Sequence, residues 1–154
     1  MIIYLAADHA GFNLKEQIKS YLKSAGYQVE DQGAFILDPS DDYPDFVSLA
    51  AKQVAADPEL TRAIIIGGSG QGEAMMANRF PQVRAAVYYG GQEEIITLSR
   101  EHNNANVLAL GARFISVAEA ISAVKLWLAT AFTNEERHER RLKKLDTGVT
   151  IKPF

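Results

Sequence analysis

The sequence contains no cysteine. That absence removes disulfides, cysteine–zinc sites and thiol nucleophiles together, and it fits a cytoplasmic protein. No apolar run approaches the roughly 20 residues that a membrane-spanning helix needs. The opening stretch, MIIYLAADHAG, has no basic lead and turns polar at Asp8, so it does not read as a signal peptide. Neither sign of charge is in large excess. The net charge of −3 argues against a nucleic-acid or membrane-surface partner. Internal repeats, low-complexity stretches and interdomain linkers are missing too. At 154 residues the chain therefore reads as one domain, 1–154. With 47% apolar and 23% charged residues it can build a core without staples.

Short β-branched runs alternate with helical spacings. Ile2–Ala7 reads as a strand. Leu14–Ala25 repeats apolar side chains at Leu14, Ile18, Tyr21 and Leu22, with Asn13 as cap, Glu16 three residues on, and Gly26 as the stop. Gln28–Asp31 is a second strand. Phe46–Ala56 reads as a helix with Asp45 as its N-cap and Pro44 before it. Ala63–Ile66 is a strand apolar on both faces, and Gly72–Asn78 starts a helix. Ala85–Tyr88 and Val107–Leu110 are strands, separated by the helix Glu93–Glu101. Ser116 with Glu119 forms a capping box for the helix Val117–Ala129. Thr133 with Glu136 forms a second for the helix Asn134–Lys144, and the tail after Asp146 reads as loose. Strict alternation predicts a Rossmann-like, doubly wound, five-stranded parallel sheet in three α/β/α layers. Ligands in such sheets sit at the carboxyl ends of the strands. The last helix carries little apolar face. It reads either as a solvated terminal helix with i,i+4 ion pairs or as a projecting helix that lies on another subunit.

The strongest local signal is Gly67-Gly68-Ser69-Gly70-Gln71-Gly72-Glu73, which leaves a strand and opens a helix. Glycines let backbone N–H groups turn toward an anion, so the loop suits an oxyanion or a phosphate. It lacks the Gly-Lys-Ser/Thr ending of a P-loop, and its spacing is wrong for a dinucleotide fingerprint. A plain tight turn is the alternative. Glu73 in the first helical turn offers either favourable charge there or a base beside an oxyanion loop. Proton abstraction next to a carbonyl needs that second pairing. Asp8-His9-Ala10-Gly11 follows the first strand and can handle hydroxyl protons or merely form a turn. Arg100-Glu101-His102-Asn103-Asn104-Ala105-Asn106 runs from helix to strand. That places it at the sheet's amino end, away from the expected site. Arg113 follows the last strand. Arg137 and Arg141 share a helical face beside His138. Three arginines suit a phosphate clamp if they converge, and otherwise read as surface charge. Asp8, His9, His102 and His138 lack metal-ligand spacing, so no structural metal is expected.

Together these motifs resemble type B ribose-5-phosphate isomerase, within the ribose/galactose isomerase family. The resemblance spans about Ile2 to Leu145. It rests on Ala7–Gly11, Asp42-Tyr43-Pro44, Gly68–Gly72 with Ala77-Asn78, Arg100–Asn106, Gly111-Ala112-Arg113 and Arg137–Arg141. Many members carry a cysteine base where this chain has Gly67. The chain resembles the branch in which a glutamate of GGSGxGE takes that role, here Glu73. The resemblance implies a homodimer, in some members paired into tetramers, with active sites between subunits and the helix at 133–145 lying on the partner. It implies His102 as the acid that opens the furanose and Asp8 as acceptor of the anomeric proton. Glu73 would carry a proton between C2 and C1. Ser69, the amides of Gly70, Gln71 and Gly72, and Asn103 would hold the enediolate, next to Gly68. His9, Arg113, Arg137 and Arg141 would bind phosphate. No metal or organic cofactor is implied. Two other readings stay open: a phosphosugar-binding module without catalysis, and an isomerase of allose or galactose 6-phosphate. A heteromeric partner is not expected, because this chain supplies the full residue set.

Overall fold

A computed structural model describes residues 1–147 of the chain. The elements in order are β1 (Ile2–Ala7), α1 (Phe12–Ser24), β2 (Gln28–Asp31), α2 (Tyr43–Ala56), β3 (Thr61–Gly67) and α3 (Gln71–Ala77). They continue with β4 (Ala85–Tyr88), α4 (Glu94–Glu101), β5 (Val107–Gly111), α5 (Val117–Ala129) and α6 (Glu136–Asp146). The five strands form one parallel sheet in the order β2-β1-β3-β5-β4. Strand residues alternate between its faces, and both faces are covered. Ile3, Leu5, Ile64, Ile66, Leu108 and Leu110 pack with Ile18, Ile96, Val124 and Trp127 of α1, α4 and α5. Tyr4, Ala6, Ala63, Ile65, Val107 and Ala109 pack with Val47, Val54, Ala74 and Ala77 of α2 and α3. This is the expected doubly wound, three-layer architecture. No helix among the described residues is long and apolar enough to cross a membrane.

The order of strands fixes where a ligand can enter. From β1 the chain leaves through α1 on one face, and from β3 it leaves through α3 on the other. β1 and β3 are neighbours, paired from Ile2↔Thr61 to Ala7↔Ile66. Their diverging exits open a crevice at the carboxyl edge, the usual ligand position in such sheets.

Several local expectations need correction. β3 begins at Thr61 rather than Ala63, because Thr61 and Arg62 pair with Ile2 and Ile3. Helix α1 starts at Phe12 behind Gly11, so Asn13 lies inside it and caps nothing. Helix α2 begins at Tyr43 with Asp42 at its N-cap, so Asp45 sits in the first turn and not at the cap. Pro44 is tolerated there because a first-turn N–H has no helical partner anyway. Helix α6 begins at Glu136. Its N-cap is Glu135, and Thr133 instead donates from its hydroxyl to the carbonyl of Glu101, 2.8 Å away. The second capping box is therefore absent. The first is present: Ser116 accepts from the Glu119 N–H, and the Glu119 carboxylate accepts from the Ser116 N–H. Gly26 stops α1 in the left-handed conformation expected of it (φ 84°). The loose tail expected after Asp146 falls, from residue 148 onward, outside the described residues. Helix α6 buries only His138 and Leu142, one helical turn apart; Glu139 is half-buried and its other residues are exposed.

Candidate active site

The carboxyl end of β3 is built around Gly67. A Cβ added there would lie 1.7 Å from Oε1 of Glu73, so the carboxylate folds back over the Gly67 Cα. The strand ends, Gly70 turns left-handed (φ 77°) and α3 begins, bringing Glu73 round to face the strand it came from. Glu73 is only 4% exposed. Burial pushes its carboxyl pKa up, its own backbone N–H opposes that, and nearby Asp8 adds a smaller upward push. A buried carboxyl held this way is a stronger base than an exposed one.

Its neighbours close the site. Asp8, at the end of β1, is buried and accepts from the N–H groups of Ala10 and Gly11 at 3.0 and 3.2 Å. These two bonds use one carboxylate oxygen. Gly11 lies against the Ile66 carbonyl, where no Cβ fits, and this close approach brings the Asp8 turn beside β3. β5 continues past its last residue along the glycine loop. The N–H of Ala112 donates to Gly67 and that of Arg113 to Gly68, at 2.8 and 3.1 Å. The Arg113 guanidinium then lies against Gly68, 3.2 Å from where a Cβ would be. Tyr43 covers Gly72 in the same way, its ring 2.8 Å from the position of a Cβ. Ser69 is half-buried at the loop's turn, where its hydroxyl accepts a long contact from the Gln71 N–H at 3.4 Å.

His9 is held by a residue that sequence reasoning missed. Its backbone N–H and ring Nδ1 both meet Oδ1 of Asp41, at 2.9 and 2.7 Å. The oxygen bonded to Nδ1 raises the imidazole pKa, burial opposes, Asp8 and the Asp41 charge add to the rise, and Arg113 lowers it. Donor atoms of Asp8, His9 and Asp41 come within 4.8 Å of one another. The Asp8 and Asp41 oxygens named above are already hydrogen-bond acceptors, so this is a hydrogen-bonded cluster first. The only sequence signal for Asp41 is its place in the polar run ahead of Tyr43-Pro44.

The remaining expected site residues stand at the other end of the sheet. His102 caps the end of α4, and its ring stacks on His138 with centroids 4.3 Å apart. His138 is buried, which together with His102 and the nearby arginines lowers its imidazole pKa. Asn103 is exposed and lines a cavity of about 600 Å³ with Arg79, Arg84 and Asp146, beside the start of β4. Arg137 and Arg141 are exposed on α6, with Arg137 paired to Glu135 at 2.8 Å. One chain therefore unites Asp8, His9, Gly68, Ser69, Gly70, Gln71, Gly72, Glu73 and Arg113. It leaves His102, Asn103, Arg137 and Arg141 beyond the amino ends, a strand's length or roughly 20 Å away.

Known proteins resemble this chain over nearly its whole length. The profile of the Ribose/Galactose Isomerase family matches residues 3–145. Ribose-5-phosphate isomerase B of Mycolicibacterium paratuberculosis is 44% identical over 142 residues, covering 92% of this chain and 87% of that protein. The crystal structure of ribose-5-phosphate isomerase B from Mycoplasma genitalium with bound ribulose-5-phosphate superposes with a TM-score of 0.90 at 38% identity, over 95% of this chain and 94% of that one. Ribose-5-phosphate isomerase B of Clostridium thermocellum gives 0.89 at 39% identity, over 96% of both chains. With the family's profile spanning residues 3–145 and relatives above 40% identical over nine-tenths of its length, this chain belongs to the ribose/galactose isomerase family.

Proposed function

We propose that the protein interconverts ribose 5-phosphate and ribulose 5-phosphate through a cis-enediolate, with Glu73 as the base. The observation that carries this reading is the Glu73 carboxylate lying over the Gly67 Cα, beside the loop that bears the amides of Gly70 to Gly72. A base and a set of N–H donors on one turn can take a proton from C2, stabilise charge at the oxygens, and return the proton to C1. Asp8, with one oxygen uncommitted to the turn amides, receives the anomeric hydroxyl proton. Ser69 relays between the sugar oxygens. His9 and Arg113 hold the phosphate from this side.

His102 and Asn103 of a second copy supply the acid for ring opening and an additional donor. Arg137 and Arg141 of that copy complete the phosphate clamp. The working form is then a cytoplasmic homodimer, or a pair of such dimers, because the two halves of the site lie at opposite ends of one chain. No metal or organic cofactor has a step to perform.

Ribose 5-phosphate incubated with the protein should give ribulose 5-phosphate. Glu73→Gln should lower kcat by about 10²- to 10⁴-fold, the usual worth of a general base, while phosphate binding largely persists. Full turnover in that variant refutes the assignment of the base. Kinetics on allose 6-phosphate and galactose 6-phosphate, run in parallel, decide chain length, since one carbon more gives only modest discrimination. Binding without turnover of any of these sugars would leave a phosphosugar-binding module.

A further inference from the structure

The segment between β2 and α2 is tied down at both ends. Near β2, Ala7 and Ala34 exchange bonds with Gly33 and Ala7, and the buried Lys15 donates to the Ala34 carbonyl at 2.7 Å and to both oxygens of Asp31. Near α2, the Asp38 carboxylate accepts from the Ser40 N–H and hydroxyl, and the Asp38 carbonyl accepts from the Asp41 N–H at 3.2 Å. These anchors deliver the Asp41 carboxylate to His9, 32 residues earlier in the chain.

The contact defines the state of the ring. A carboxylate only accepts, so Nδ1 must carry the hydrogen at 2.7 Å. Nε2 has no hydrogen-bond partner among the described residues, and the side chain is 32% exposed. The Asp41 side chain is 8% exposed, and its Oδ2 is buried without a hydrogen-bond partner. A desolvated carboxylate with one idle oxygen is costly unless an opposite charge sits beside it. Among the described residues, the only cationic partner it meets is His9.

We propose that Asp41 is a positioning residue for substrate binding: it fixes the His9 ring and keeps it charged, so that Nε2–H is presented to the phosphate group of the sugar. This rests on the reading above that His9 is a phosphate ligand. The charges facing His9 are Asp41, Asp8, Asp38 and Arg113. Three of the four favour the imidazolium; Arg113 opposes it and shares the anion. A phosphate monoester loses its second proton near pH 6, so a charged His9 meets a dianion at neutral pH.

Asp41→Asn keeps the shape and removes the charge. His9 is followed by NMR through the imidazole resonances of the full chain without substrate, assigned with His9→Gln. In the unsubstituted protein His9 should titrate above the ordinary value of about 6.5, and in Asp41→Asn it should fall back toward it. KM for ribose 5-phosphate should rise about threefold in Asp41→Asn at pH 7 and much less at pH 6, with kcat moving less than KM. In a His9→Gln background Asp41→Asn should add little. An ordinary titration of His9 in the unsubstituted protein overturns the proposal, and that measurement stands even if Asp41→Asn fails to fold. So does an equal rise of KM at both pH values, or an undiminished effect in His9→Gln. If the unsubstituted protein does not turn over ribose 5-phosphate, the functional reading has failed. The Asp41 proposal is then decided by inorganic phosphate: it should shift the His9 resonances, and more weakly in Asp41→Asn.

Discussion

Glu73 shows how one residue can oppose stability while serving chemistry. Its carboxyl is buried and its pKa raised. Such a group keeps its proton longer in the folded chain than in the unfolded one. Stability is therefore lost as pH rises from the unfolded carboxyl value, about 4.3, through the raised folded value. Glutamine does not titrate. Glu73→Gln should melt above the unsubstituted protein at pH 7, and the gap should close as pH falls below about 4. Thermal midpoints over a pH series check this, and a gap independent of pH would contradict the raised carboxyl. Gly67 makes the complementary test. An alanine there collides with Oε1, so Gly67→Ala should displace the base and lower kcat by about 10²-fold, the order expected for an ångström of misplacement. Undiminished kcat would mean the carboxylate need not lie over that Cα. The importance of Glu73 was legible in the sequence because glycines, serine and glutamate share one short turn. Its folding over Gly67 was not, since that depends on the left-handed Gly70. Asp41 was not legible either: its partner is 32 residues away and no period or motif links them.

At the scale of elements, alternating apolar runs and helical spacings placed the five strands and the first five helices to within a few residues, because a parallel sheet buried on both faces leaves near-continuous apolar strands. Caps were less legible. Ser116 and Glu119 sit directly ahead of an apolar helix, and there the local pattern decides. At Thr133 a tertiary bond to Glu101 wins, and the chain reverses at Asn134 in the left-handed region (φ 56°) before α6 starts. That bond ties the approach of α6 to the end of α4, where Arg100 makes the main anchor. Its guanidinium donates to the carbonyl of Thr130, to the Asn104 side chain and to the carbonyl of Ala105, and it lies over Trp127. Burial, with Arg62 and Arg84 nearby, lowers its pKa to about 10, so it stays charged at neutral pH. One fork thus joins α4, the loop carrying His102 and the end of α5. Lysine cannot span three acceptors in these directions. Arg100→Lys should cost about 2 kcal/mol in a urea titration, the scale of bonds to a charged donor. It should also lower kcat if the His102 loop serves the reaction. A variant as stable as the parent would show that the fork is not what holds this corner.

At the scale of the whole molecule, the sequence already placed the Arg100–Asn106 run at the wrong end of the sheet for a single-chain site. The structure keeps it there, with His102 stacked on His138 while Glu73 closes the opposite edge. Two residues fixed to opposite ends of a rigid sheet cannot meet by a side-chain rotation. They can meet across a two-fold axis, where each chain lends its amino end to the other's carboxyl end and two equivalent sites form at once. This geometry makes an arithmetical prediction. Glu73→Gln and His102→Asn should each be nearly inactive alone. When the two variants are unfolded together and refolded as an equal mixture, about half the dimers are mixed, and a mixed dimer has one site with both defects and one with neither. Activity should return to about one quarter of the parent's. Had both residues served the same chain's site, every site would keep one defect and the mixture would stay inactive. Simple mixing without dissociation is the control, and recovery there should be slow, set by exchange of subunits. A refolded mixture with no recovered activity would place His102 outside the site that Glu73 serves.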